Sequence, residues 1–234
     1  MNEGNIDLVL QKAAETPHVV DAALLERIDV ELRADLRPVR PLAGTWVLAA
    51  GVLLVAAMVA VLGAVRAGFY GIAKMDLVER AVIFGVLFLV AWAAGTEFVK
   101  SMIPGSLRRV SAGTLVVVSS AVLVAMFAVF FRDYRTRHFV HAGLLCLAAG
   151  VGHAIPAGLL GWWVLRRGYA VNGLAAGLVG GVLAGSAGVT LLELHCANFE
   201  AWHVLVWHTA VLPVSAAVGA LGGWIVGRRG WAVR

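Results

Sequence analysis

Residues 191–208 read LLELHCANFEAWHVLVWH, with three histidines, one cysteine and two glutamates between two long apolar runs. Thiolates and imidazoles are soft or borderline ligands, so two thiols joined by one or two imidazoles suit Zn²⁺, Cd²⁺ or Cu⁺. The second cysteine of the chain is Cys146; His153 follows it by seven residues, on the same face of a helix, and His138 and His141 precede it. The candidate metal or redox residues are therefore Cys146, Cys196, His141, His153, His195, His203 and His208. Spacing alone does not assemble them, because no CxxC, HExxH or HxxxH occurs and the ligands come from separate segments. Structural roles compete: His203 and Trp207 suit a membrane interface, and His153 beside Pro156 suits carbonyls freed by a kink. A disulfide between Cys146 and Cys196 is open in an oxidising compartment.

The elements that must position these residues are membrane spans. Of the 234 residues 61% are hydrophobic and 14% charged, and the mean hydropathy is +0.87, far from a soluble domain. Apolar runs of roughly 20 residues, the length that crosses a bilayer core, occur at 44–65, 80–99, 110–131, 142–165, 170–192 and 203–226. The fold class is all-α, a polytopic six-transmembrane-helix bundle, since continuous Leu, Val and Ala runs do not alternate as barrel strands do. The first forty residues are polar and hold no cleavable signal, so the first span serves as the insertion signal. Basic residues resist translocation. Lys12, Arg27, Arg33, Arg37, Arg40, Lys100, Arg108, Arg109, Arg166, Arg167, Arg228, Arg229 and Arg234 fall on the side of the N-terminus, against Arg66, Lys74, Arg80, Arg132, Arg135 and Arg137 opposite. Both termini are expected in the cytoplasm, with both cysteines toward the outer face. Gly173, Gly177, Gly181 and Gly185 in the fifth span and Gly219, Gly223 and Gly227 in the sixth form small faces that let helices approach closely.

Residues 1–41 form the soluble segment and 42–234 the membrane domain. Ile6, Val9 and Leu10 follow helical spacing until Pro17, and Asp21 caps a second helix with Leu24, Leu25, Ile28 and Leu32 on its apolar side. Forty-one residues are too few to bury a core of their own. Glu3, Asp7, Glu15, Asp21, Glu26, Asp29, Glu31 and Asp35 against Lys12, Arg27 and Arg33 make the first 35 residues acidic. Interfacial helices are typically cationic, so these stripes are expected to dock a protein rather than lipid; membrane lipid surrounds only the spans. The net charge of +5 sits in loops flanking the spans, which argues against direct nucleic-acid binding. Enzyme readings lack a nucleophile with a nearby base, and catalytic residues are expected to be absent.

The segment LHCANFEAWHVLVWH, the Gly-rich span after it and the basic end GGWIVGRRGW together resemble the NrsF-type membrane anti-sigma factors, as does ETPHVVDAALLERIDVELRADLRPVRPL near the start. Ala197 stands where that family's loop cysteine is usually followed by proline. The resemblance implies an inner-membrane protein of six spans with a cytoplasmic N-terminal region that sequesters an extracytoplasmic-function sigma factor. It implies release under heavy-metal or oxidative stress through two outward cysteines, here Cys146 and Cys196, with a transient Zn- or Cd-type ion at the thiols. A rival class is a metal or solute transporter or a haem-binding protein using His153, His203 and His208. Against it stands the expectation of no acidic residue deep in a span, no broken-helix pair and no histidine pair on one deep face.

Overall fold

A computed structural model describes residues 8, 11–12, 21–35, 43–103, 105–107, 110–136, 139–165 and 172–228. The chain divides into two compact units, residues 1–42 and 43–234. In the first, helix α1 (Ala22–Asp35) begins as its sequence dictates: Ala23 donates its amide to Asp21 Oδ1 at 3.0 Å, satisfying a donor that the helix start leaves open. Leu24, Leu25, Ile28 and Leu32 of α1 are exposed. The stripe expected at Ile6, Val9 and Leu10 lies outside the described residues.

Among its described residues the second unit is helical, with six helices long and apolar enough to cross a membrane. In chain order they are α2 (Thr45–Ala67), α4 (Leu77–Lys100), α5 (Ala112–Phe130), α6 (Phe139–Leu165), α7 (Gly173–His195) and a last span over residues 201–228, with the short helix α3 (Tyr70–Lys74) between the first two. Side chains in the polar loops set several starts. Asp76 and Glu79 form a reciprocal capping box on α4, Ser111 caps α5 through the amide of Thr114, and Asn172 caps α7 through that of Ala175.

Helix α7 is the hub. In its most apolar stretch 78% of residues are buried, and many of its buried positions are small, among them Gly177, Gly181, Ala184, Gly185, Ala187 and Gly188. The last span lies directly against it. A Cβ on Gly177 would collide with the carbonyl of Gly219, and one on Gly223 with that of Gly173. Where lipid tails are as apolar as leucine, such backbone approach supplies the dispersion contacts that hold helices together. At Gly227 the contact loosens: a Cβ on it would meet nothing within 4 Å, although one on Gly173 would lie 3.6 Å from the Gly227 Cα.

The last span is not one regular helix. It opens with α8 (Ala201–His203), passes through a π turn (Val204–His208) and continues as α9 (Thr209–Arg228), which contains Pro213. Proline has no amide to offer the carbonyl four residues back, which here belongs to Thr209. Just before that gap the register shifts, and the Thr209 amide donates to Val204, five residues earlier. Such single π turns recur at functional sites.

Candidate metal and thiol site

Helix α7 ends where Cys196 caps it, its amide donating to Leu192 at 2.7 Å. Glu193 lies three residues earlier, on the same face of the final turn. Cys146 comes from the third turn of α6, and its Sγ lies 3.6 Å from that of Cys196. Both are free thiols. From the last span, His203 Nε2 lies 3.7 Å from Cys196 Sγ, and His208 sets its ring edge-on to that of His203 with centroids 5.2 Å apart. One ligand atom from each of Cys146, Cys196, His203 and His208 falls within 4.8 Å of the others.

The π turn explains this pairing. At 100° per residue an α-helix would set positions five apart about 140° from each other, whereas an i to i+5 register stacks them. The expectation of no histidine pair on one deep face is therefore corrected: His203 is 1% exposed and His208 fully buried, in contact. The carboxylate beside this pair sits in the last turn of α7, at the end of the span rather than deep within it. Glu193 is fully buried, and its Oε1 lies 2.6 Å from His208 Nδ1. Glutamate directly after two leucines at the end of an apolar run was the available signal.

Loops at the same end of the bundle enclose Cys196. Gly71 of α3 packs on the carbonyls of Glu193 and Cys196, where a Cβ would sit 2.5 and 2.7 Å from the two oxygens. Lys74 Nζ donates to the Ala197 carbonyl at 3.0 Å, and His195 Nδ1 lies 3.1 Å from the Gly68 carbonyl. On the other flank the Ala201 amide donates to Asp133, and Phe131 packs against Phe199. The cysteine loop is thus fastened both to the end of the first span and to the loop before α6. Its hydrogen bond with Cys146 and its burial push the Cys196 thiol up from the ordinary range, while His203 and His208 pull it down.

The other predicted residues lie elsewhere. His195 faces Gly68 and the ring of Tyr70. His153 is half-buried with its ring over Gly63 of α2, and His141 is exposed; His138 lies outside the described residues.

Residues 32–228 match the family described as NrsF, negative regulator of sigma F. The chain belongs to the NrsF family. A search of curated proteins finds no match, and neither does one of solved structures. As an NrsF-family protein it is a negative regulator of a sigma factor, carried on six helices that suit a membrane. The family match covers all four clustered residues and begins near the end of α1.

The donor set fits a four-coordinate cation. Tetrahedral bonds of about 2.3 Å to sulfur and 2.0–2.1 Å to nitrogen give sulfur–sulfur edges of about 3.8 Å and sulfur–nitrogen edges of about 3.6 Å. Two of the six separations, 3.6 Å between the sulfurs and 3.7 Å from Cys196 Sγ to His203 Nε2, match these edges, while the four atoms together spread over up to 4.8 Å. Among the described residues, His203 Nδ1 and His208 Nε2 are buried without hydrogen-bond partners, so each ring keeps a nitrogen open.

Proposed function

We propose that this protein is a bacterial inner-membrane anti-sigma factor with both termini in the cytoplasm. It holds an extracytoplasmic-function sigma factor through residues 1–41. It releases that factor when Cys146, Cys196, His203 and His208 bind a thiophilic ion such as Zn²⁺ or Cd²⁺, or when the two thiols are oxidised. The observation that carries the reading is the meeting within 4.8 Å of two thiols and two imidazoles supplied by α6, the loop that ends α7 and the last span. Two imidazoles beside the sulfurs favour the metal arm, because a disulfide makes no use of them.

Residues 1–41 and 42–234 divide the work. The exposed Leu24, Leu25, Ile28 and Leu32 of α1, set among acidic residues, cover the polymerase-binding surface of the sigma factor in the resting state. Residues 1–31 fall outside the family match, as suits a segment shaped to this chain's own partner. Ligand binding shifts such an equilibrium only by its differential affinity for the two states, and a swing from 1:99 to 99:1 needs about 10⁴-fold. Cys146, Cys196 and the histidines supply that difference if their spans close around the ion. Lys74 and His195 tie the cysteine loop to the segment after α2, and α2 continues in sequence from residues 1–42.

The haem alternative loses support from the same geometry. Imidazole centroids 5.2 Å apart in an edge-on pair leave no gap for a macrocycle between them.

Labelling of intact cells with a membrane-impermeant maleimide tests the reading. Cys146, the half-buried thiol, should react from outside after reduction and be protected by Cd²⁺. Labelling that requires permeabilised cells, or that Cd²⁺ leaves unchanged, overturns it.

A further inference from the structure

We propose that Glu193 is a positioning residue for the cation site: it fixes the ring of His208 so that Nε2 acts as the fourth donor, and so sets the site for four-coordinate divalent ions over low-coordinate Cu⁺. The inference rests on the metal reading above and adds to it a residue that ligates nothing itself.

Glu193 and His208 are both fully buried, and Oε1 approaches Nδ1 at 2.6 Å. With Nδ1 engaged, Nε2 is the nitrogen left to donate, and it has no hydrogen-bond partner among the described residues. A carboxylate on the far nitrogen of a ligating histidine fixes the tautomer and ring orientation and raises ligand basicity. The carboxylate is costly where it stands. Its Oε2 is buried without a partner, and a charge held in so dry a place is rarely a gain in stability over an apolar residue. The chain also places it in register: Glu193 and Cys196 share the last turn of α7, so one helix end delivers both a ligand and the support for another. His203 lacks such a partner, its Nδ1 being unpaired. The support is specific to His208.

The two thiols alone satisfy Cu⁺, a soft ion content with few sulfur ligands. Tetrahedral Zn²⁺, and Co²⁺ as its coloured probe, need the imidazoles as well. Removing the support should therefore weaken divalent binding and spare Cu⁺.

The test uses the full chain in lipid nanodiscs under reducing conditions, titrated with Co²⁺ and separately with Cu⁺. Wild type should take up one Co²⁺ with the intense visible absorption of a tetrahedral site. E193L should bind Co²⁺ about 10- to 100-fold more weakly, the range for loss of a supporting residue, with an altered absorption spectrum. E193Q keeps an acceptor oxygen and should fall between the two. Cu⁺ affinity should stay the same in all three. Parallel losses of Co²⁺ and Cu⁺ would mark Glu193 as merely structural and overturn the proposal, as would E193L matching wild type in affinity and spectrum. If E193L does not fold, wild type against E193Q decides by the same split. A wild-type chain that binds neither metal rejects the metal site itself, and the role of Glu193 with it.

Discussion

Cys146 and Cys196, fifty residues apart in sequence, bring their sulfurs to 3.6 Å across the junction of α6 and α7. Neither belongs to a local motif, so the site exists only when the bundle is assembled. Loss of either thiol should cost the divalent site more than loss of a supporting residue. C196S is expected to weaken Cd²⁺ binding by at least about 100-fold, beyond the 10- to 100-fold typical of supporting residues. The ultraviolet charge-transfer absorption of Cd²⁺-thiolate in the purified protein reports it.

Pro213 is not itself a candidate ligand, yet it follows the π turn that places His203 beside His208. P213A restores an amide donor for Thr209 and permits a regular helix, in which the two rings diverge. Co²⁺ affinity should fall by about 10-fold or more while the far-ultraviolet circular dichroism stays unchanged, with each tenfold equal to about 1.4 kcal/mol. Affinity equal to wild type would show that the π turn does not depend on the proline.

The glycine contact between α7 and α9 makes a prediction about stability alone. G177A places a methyl against the Gly219 carbonyl and should destabilise the bundle by about 1–3 kcal/mol, as overpacking does. G85A and G113A, where a Cβ meets nothing within 4 Å, serve as controls. Thermal unfolding in detergent separates them.

The six spans were legible because apolar length is a one-dimensional property, and the facing glycines because small residues at four-residue spacing define a stripe whatever the partner. The α1 cap at Asp21 could be read for the same reason: cap and helix are neighbours in sequence. Apolar runs also marked the spans to within a few residues, missing mainly starts fixed by polar side chains such as Asp76 on α4. The cluster was only half legible. An ideal 3.6-residue period separates His203 from His208, and nothing short of the local register shift reunites them. Glu193 became interpretable only once His208 stood beside it, and Lys74 only once α3 was seen to pack under Ala197. His195, next to Cys196 in sequence, turns away toward Gly68 because consecutive residues at a helix end point in different directions.

Lys74 and His195 lie between the cluster and the first span, so they should carry coupling rather than affinity. K74M and H195F are each expected to bind Cd²⁺ within about threefold of wild type. They should lose most of a coupling free energy of roughly 1–3 kcal/mol between metal and sigma factor. Parallel titrations of metal, with and without the bound factor, measure that difference. Unchanged coupling in both variants would mean that the signal travels another way, for instance through α6 and the last span.

The central claim is that the four-residue cluster controls the hold on the sigma factor. The most direct measurement is dissociation of the co-purified sigma factor from the full chain in nanodiscs, followed during Cd²⁺ titration for wild type and for the C146S/C196S double variant. Cd²⁺ should release the factor from wild type and leave it bound to the double variant, both holding it equally without metal. Release from both with the same dose response, or from neither, would contradict the account.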